Sequence, residues 1–157
     1  MSPVAVTEAW AEAPLRQFVE DARVELALLL HASGQVLGQH GFVKRMDVMT
    51  ACALAAGINA TAAELGRMLD GQPFGALHYA GQAKQLFLGA VQTPRGTYLL
   101  FCVFDERASL GIVQLYFGEF RHRLAAAAPA AEGPSTPLNE HFEGELNRNL
   151  AALFGRP

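Results

Sequence analysis

The segment from Val48 to Ala63, VMTACALAAGINATAA, contains no charged residue and consists mostly of alanine and other small side chains. Placed on a helix at about 100° per residue, it separates into two apolar stripes on opposite sides. The first stripe contains branched side chains and is typical of a helix that packs on its own core: Leu54, Ile58, Leu65 and Leu69. The second, here called the Met/Ala stripe, consists of Met49, Ala53, Ala56, Ala60, Ala63 and Arg67.

The Met/Ala stripe lies where a surface helix normally carries Lys, Glu and Gln. A helix that is apolar on both sides is covered on both sides, and small side chains let another backbone approach closely. We therefore predict that the Met/Ala stripe binds another chain. The alternative is a helix in the middle of a larger core, which we disfavour because 157 residues are too few to cover both sides of this helix and of a sheet.

Composition supports self-association and argues against a nucleic-acid partner. Hydrophobic residues make up 51% of the chain and charged residues 17%, whereas about a quarter of residues are charged on average. The length fits one domain. The net charge of −3 provides no basic patch for phosphates.

We expect a cytoplasmic protein without a membrane insertion. The opening MSPVAVTEAW has no export signal, and Cys52 and Cys102 lie in apolar segments typical of buried thiols in a reducing compartment. Polar residues such as Thr50 and Asn59 interrupt the uncharged helix, so no segment is expected to reach the roughly 18 apolar residues that span a bilayer.

The rest of the pattern predicts helix, strand, strand, helix, three strands and helix. Asp47 and Ser109 are the expected N-caps of the second and third helices. The strand TYLLFCVF is apolar at every second position on both sides, so helices should cover both faces of the sheet. The last helix should pack on the sheet through Ile112, Leu115, Tyr116 and Leu124. The predicted ranges are 7–22, 24–31, 36–40, 47–69, 76–79, 85–92, 97–104 and 110–128.

Beyond a domain at 1–127, we predict a flexible linker at 128–137 and an amphipathic helix at 138–157. The linker is rich in Pro, Ala, Gly, Ser and Thr. The helix has acidic residues in its first half and apolar residues at spacings of three to four. It either folds back on its own domain or binds a partner. Its predicted partner-contact residues are Phe142, Leu146, Leu150, Leu153 and Phe154.

We predict no catalytic site, metal site or cofactor, because nucleotide-binding glycine motifs and metal-ligand spacings are missing from the sequence. His78 is interpreted as a structural hydrogen-bonding residue rather than a general base. The acidic and basic residues at 105–107 are interpreted as a solvated capping loop. Arg67 and Arg95 could each act as an arginine finger, although a soluble surface role is favoured for both.

Three segments resemble a known family: LAAGINATAAELGRMLDG, LHYAG and above all VFDERASLGIVQLYF. They are similar to the Roadblock/dynein light chain superfamily, and most similar to its bacterial MglB-like branch. The resemblance covers about residues 15–124. It implies an α/β three-layer sandwich, in which a five-stranded antiparallel sheet carries one long helix on one face and two helices on the other. A C-terminal tail helix follows this domain.

The resemblance also implies a homodimer, with the second helices side by side and the third strands paired. The paired helices would bind a small Ras-like, MglA-like GTPase in its GTP form. They would activate GTP hydrolysis by remodelling its active site, in cell polarity or motility, while the catalytic arginine stays on the GTPase. The alternative is a scaffold that assembles a GTPase complex without activating it. Two departures from the branch, Ile58 for the usual Asn and Gly66 for the usual Ala, make activation less secure than binding.

Overall fold

A computed structural model describes residues 8–130. It consists of a five-stranded antiparallel sheet in the order β2-β1-β5-β4-β3 and three helices. Helices α1 and α3 lie on one face and α2 on the other, which confirms the predicted fold class. The predicted linker beyond residue 130 and the amphipathic segment 138–157 lie outside the described residues. The elements are α1 Ala9–Ala22, β1 Leu26–His31, β2 Val36–Gly41, α2 Val48–Asp70, β3 Ala76–Ala80, β4 Gln85–Thr93, β5 Gly96–Phe104 and α3 Leu110–Ala127.

Both predicted N-caps are confirmed. The Asp47 carboxylate accepts a hydrogen bond from the Met49 backbone N–H at 3.2 Å, and the Ser109 hydroxyl accepts one from the Ile112 N–H at 3.2 Å. Each cap satisfies a backbone donor that has no partner inside the helix. Gly71 ends α2 in the left-handed conformation at φ 74°, which glycine adopts without steric cost.

Aromatic residues dominate the core between the sheet and the α1/α3 layer. Phe18 of α1 contacts Phe120 of α3 edge-to-face at 5.6 Å, and Phe117 contacts Phe87 of β4 at 5.0 Å. The Phe117 ring lies directly over Gly89, where a Cβ would overlap it. The predicted packing of α3 is confirmed for Leu124, which is buried, and for Tyr116, which packs against this core. It is wrong for Ile112 and Leu115, which are exposed, whereas Val113, Phe117 and Phe120 are buried.

On the other face of the sheet, the branched side chains of α2 do not form the core contact that the sequence predicted. Leu54 is 63% exposed and Leu65 48%, whereas small residues of α2 face the sheet: Cys52, Ala55, Ala62 and Gly66. Leu69 is also exposed, and Ile58 is half-buried against this core. The sheet itself carries bulky side chains on this face, including Leu28, Leu99 and Phe101. Small residues on α2 therefore complement large ones on the strands, and the leucines turn outward.

Two loops pack closely on α2 where its residues are small. A Cβ on Gly66 would lie 2.7 Å from the Gln72 carbonyl oxygen and against the Phe74 backbone nitrogen. At the other end, a Cβ on Gly34 in the β1–β2 turn would lie 3.5 Å from the Ala53 Cα. The chain's own turn thus provides part of the close backbone approach that the sequence suggested for another chain.

Helix α2 is long and apolar enough to cross a membrane by length and composition, with 23 residues. The sequence expectation that no segment meets these criteria is wrong. One such helix is weak evidence of a membrane span, because the buried core helix of a soluble protein passes the same test. Here Cys52 and Ala55 bury one side of α2 against the sheet, but only 17% of its apolar window is buried, so the outer side is left exposed.

Candidate functional site

Helix α2 leaves the β3 edge of its sheet face uncovered. It packs on β1 and β5, at the centre and one side of the sheet. Strands lie about 4.8 Å apart and a helix is about 10 Å wide, so one helix covers about two strands. The opposite face is covered by two helices, with α1 on β2 and β1 and α3 on β4. Leu88 of β4 is nevertheless buried on this face, so the open space lies beside α2 at the edge strand β3.

This space is an apolar groove of about 520 Å³ between α2 and β3. Leu54, Thr61 and Leu65 form its helical wall, and Leu77 and Tyr79 form its strand wall. Tyr79 is 51% exposed. The remaining lining residues are Ala53, Gly57, Ile58, Ala62 and Phe74. An open groove with this lining fits an apolar protein surface better than a polar small molecule.

Strand β3 is an edge strand whose outer backbone groups point away from the sheet. The Gly75 carbonyl accepts a hydrogen bond from the Ala90 N–H, and the Gly81 N–H donates to the Lys84 carbonyl, both at 2.8 Å. Because the hydrogen-bonded pairs of an antiparallel ladder alternate, residues 75, 77, 79 and 81 face β4. Ala76, His78 and Ala80 therefore present their N–H and C=O groups at the free edge, where another strand could pair.

His78 has the structural role predicted from the sequence. Its Nε2 lies 2.8 Å from the Gln85 Oε1 on the neighbouring strand, and its ring stacks on Phe104 with centroids 6.0 Å apart. These contacts fix the side chain on the sheet face opposite the groove.

Exposed apolar side chains concentrate on α2 and the segments next to it. Nine large hydrophobic residues in the described part of the chain are exposed, and seven belong to α2, to β3 or to the loop before α2. Three of them, Leu54, Leu65 and Tyr79, line the groove, and exposed apolar surface that is grouped in this way marks an interaction site. The seven are Phe42, Met49, Leu54, Leu65, Met68, Leu69 and Tyr79.

The Met/Ala stripe lies on the shoulder of α2 that faces away from the groove. Met49, Ala53, Ala60 and Arg67 are exposed, whereas Ala56 and Ala63 are half-buried. Leu54 in the groove wall and Ala60 on the stripe are about 120° apart around the helix axis. Ala53 lies between the two regions and lines the groove. The outer surface of α2 therefore offers two adjoining contact regions, since Ala60 of the stripe also lines a shallow pocket with Thr61 and Leu65 of the groove wall.

The charged residues near α2 and the α3 start form local pairs. The Arg67 guanidinium lies 3.1 Å from the Glu64 carboxylate. Hydrogen bonds from Arg107 hold the pKa of the Asp105 carboxyl well below its usual range. The residues at 105–107 thus form a loop and ion pair next to the α3 N-cap, as predicted.

Residues 8–130 contain no cluster of three or more potential metal ligands. Cys52 and Cys102 are both fully buried, as expected, and lie in the separate cores on the two faces of the sheet. Burial raises the pKa of the Cys52 thiol to about 11 and that of Cys102 to about 12. Neither thiol is therefore a nucleophile at neutral pH.

No protein-family model matches the sequence, and no curated protein is significantly similar to it. Solved structures are similar to it. Myxococcus xanthus MglB superposes with a TM-score of 0.69 at 23% identity, covering 75% of this chain and 94% of that one. The gliding protein MglB from Thermus thermophilus gives 0.66 at 25% identity, covering 82% and 98%. A structure described as MglB with tetrameric arrangement gives 0.68 at 25% identity, covering 82% and 97%.

The order of the elements, the helices on both faces of the sheet and these superpositions define a Roadblock-type α/β fold. Within that class the fold is MglB-like, since three MglB structures match over nearly their whole lengths.

Proposed function

We propose that this protein is a homodimeric regulator that binds a small Ras-like, MglA-like GTPase in its GTP form and accelerates GTP hydrolysis. The observation that carries the proposal is the exposed apolar surface of α2 and β3 on an MglB-like fold. In this account the chain has no catalytic site or cofactor of its own. It acts in the cytoplasm, in cell polarity or motility.

The groove and the free β3 edge support the dimer. A two-fold axis between two β3 strands would join both sheets through the free backbone groups of Ala76, His78 and Ala80. The grooves of the two copies would then adjoin at this seam, and the exposed Leu54 and Leu65 of each copy would face the α2 helix of the other. Such an interface is isologous, so every contact occurs twice.

The Met/Ala stripe is the proposed GTPase contact. It lies on the outer shoulder of α2, so it stays accessible when the groove is filled by the second copy. Met49 is 79% exposed and provides an adaptable apolar contact. Ala60 is small and lets a partner backbone approach. Two α2 helices side by side would form a platform with one such shoulder on each side.

The proposed activation uses no arginine finger from this chain. Arg67 belongs to the Met/Ala stripe but is paired with Glu64, while Arg95 lies in the β4–β5 turn. We therefore propose that binding remodels the active site of the GTPase, whose own residues carry out hydrolysis. This differs from activators that insert an arginine and gain about 10³–10⁵ in rate.

A non-activating scaffold is the second candidate function. It is favoured by Gly66, which stands where MglB-like sequences usually have Ala and which receives the loop after α2 in close contact. The C-terminal end of α2, next to Arg67, would therefore differ in shape from that of MglB-like proteins with Ala at this position. Measuring GTP hydrolysis by a small Ras-like, MglA-like GTPase, with and without this protein, separates the two functions: the scaffold binds without changing the rate.

A further inference from the structure

A histidine lies at the centre of the free edge of β3. The strand has five residues, and the backbone groups of Ala76, His78 and Ala80 point away from β4. The His78 side chain lies on the sheet face opposite the groove, since it is paired with Phe87 and stacks on Phe104 of the α1/α3 core. Histidine side chains ordinarily gain their charge between about pH 7.5 and 5.5, so this edge contains a group that can change its charge near neutral pH.

Pairing through these backbone groups selects one register for two copies of β3. A two-fold axis perpendicular to the sheet makes the two strands antiparallel and keeps both α2 helices on the same face. Residues with outward-pointing groups then lie opposite one another, because an antiparallel ladder joins such residues in hydrogen-bonded pairs. The register centred on His78 pairs all five residues of the strand, whereas every other register with opposed groups leaves strand ends unpaired. It therefore forms the most hydrogen bonds.

We propose, on the basis of the homodimer described above, that the two copies pair in this register, so that His78 of each copy lies opposite His78 of the other and acidification weakens the dimer. Residues in a hydrogen-bonded pair have Cα atoms about 5.5 Å apart and Cβ atoms about 4.5–5.5 Å apart. On the same face, Ala76 lies opposite Ala80 of the second copy on either side of the histidines. The small alanine side chains leave space for the two imidazoles.

The same register suits the groove face of the seam. The side chains of Leu77 and Tyr79 line the groove, and the register places Leu77 opposite Tyr79 of the second copy. Tyr79 is exposed and Leu77 half-buried in the single chain, so this pairing removes apolar surface of both from water. One face of the seam is thus apolar, and the other contains the histidine pair.

The neighbours of His78 on the sheet do not compensate a positive charge. Its Nε2 lies 2.8 Å from the Oε1 of the uncharged Gln85, and no carboxylate within residues 8–130 forms an ion pair with it. The carboxylates on the adjoining elements already have partners. Glu25, before β1, is paired with Lys84, and Asp105, after β5, is paired with Arg107.

Helix α3 does not provide a compensating carboxylate either. Arg123 pairs with Asp21 of α1 at 3.4 Å, so Gln114 and Arg121, about 160–180° away around the helix, lie on the side that faces β3. Arg121 adds a positive charge to this side. Glu106, in the loop before α3, lies toward α1, where it lines a cavity with Asp21.

Protonation is therefore less favourable in the dimer than in separate chains. In a separate chain Nε2 of His78 donates to Gln85 in either charge state, because both ring nitrogens of a charged imidazole are donors. In the dimer two positive charges lie opposite each other, which is unfavourable across paired strands. The dimer thus binds fewer protons than two separate chains, and a falling pH shifts the equilibrium toward separate chains. The dimer Kd should rise about tenfold between about pH 8 and pH 5.5.

Sedimentation equilibrium of the full chain at a series of pH values measures this Kd. His78→Gln removes the charge but keeps a hydrogen-bonding side chain, so this variant should form the dimer at about pH 8 and should lose the rise in Kd at low pH. His122→Gln is the matched control, because His122 is exposed on the outer side of α3. It should retain the full rise.

His78→Glu tests whether the two side chains face each other. Two carboxylates opposite each other should weaken the homodimer of this variant at about pH 6, whereas a carboxylate opposite a protonated histidine should stabilise a mixed dimer. Native mass spectrometry of an equal mixture of the variant with ¹⁵N-enriched wild-type chain counts the three kinds of dimer. The mixed dimer should exceed its statistical share.

The outcomes separate this register from the homodimer itself. A statistical share of mixed dimers, a dimer Kd that does not change with pH, or a rise in Kd that persists in His78→Gln would overturn the register and leave the homodimer standing. A chain that stays monomeric at every pH would contradict the homodimer of the proposed function, and the register with it. GTP hydrolysis enters none of these measurements.

Discussion

Replacing Leu54 by Ala should weaken the proposed dimer strongly. Leu54 is 63% exposed in the single chain and forms part of the groove wall. In the proposed dimer a second α2 covers it. The substitution removes apolar area from the interface but none from the core of the single chain, because the side chain points away from the sheet.

The size of the effect follows from the exposed fraction. Burying a whole leucine side chain contributes about 2 kcal/mol, so burying the exposed part of Leu54 contributes roughly 1.3 kcal/mol. The two-fold axis doubles this to roughly 2.5 kcal/mol per dimer. Since 1.4 kcal/mol corresponds to a tenfold change, the dimer Kd should rise about 60-fold.

Sedimentation equilibrium over a range of protein concentrations measures this Kd. Leu115→Ala is the matched control, because Leu115 is 59% exposed but lies on α3, far from the groove. It should leave the dimer Kd unchanged. Equal weakening by both substitutions, or an unchanged Kd with Leu54→Ala, would refute the assignment of the groove to the second copy.

Three further predictions concern the fold itself. Gly66→Ala should lower the free energy of unfolding by about 1–2 kcal/mol in urea titrations, because overlap with the loop after α2 outweighs the gain in helix propensity; a more stable variant would show that the loop moves freely. Cys52 and Cys102 should not react with dithiobis-nitrobenzoate at pH 8 until the protein is unfolded, and rapid reaction of the native protein would contradict their burial. Because the pKa of Asp105 is depressed by Arg107, its contribution to stability is present above about pH 4 and is lost as the pH falls toward the native pKa. Asp105→Asn should therefore lower Tm slightly at pH 7 and flatten the pH dependence of Tm below about pH 4. If the substitution left the pH dependence of Tm unchanged, the lowered pKa of Asp105 would be contradicted.

Local sequence signals were sufficient for the fold. The caps at Asp47 and Ser109, the turn residues between strands and the two-sided apolar pattern of β5 fix the order and bounds of the elements. Each of these signals depends on residues that are close together in the chain, so each can be recognised in a single sequence. The family resemblance then placed the elements in a Roadblock-type arrangement, which the superpositions confirm.

The rotation of α2 could not be predicted in the same way. Periodicity showed that the helix is apolar all round, but it does not say which side faces the sheet. Leucines are common core residues, yet the strands already provide bulk through Leu28 and Phe101, so the small side of α2 packs more tightly. The Gly34 turn beside Ala53 depends on tertiary contacts that no local pattern contains.

Single-turnover GTP hydrolysis by a small Ras-like, MglA-like GTPase, with and without this protein, tests the central claim most directly. The account predicts that this protein accelerates hydrolysis and that Ala60→Arg, which places a long charged side chain on the exposed Met/Ala stripe, abolishes both binding and acceleration while the dimer persists. Ala56→Arg is less suitable, because Ala56 is half-buried and close to the Gly34 turn. Tight binding of the GTP form without any acceleration would contradict the account and identify the protein as a scaffold.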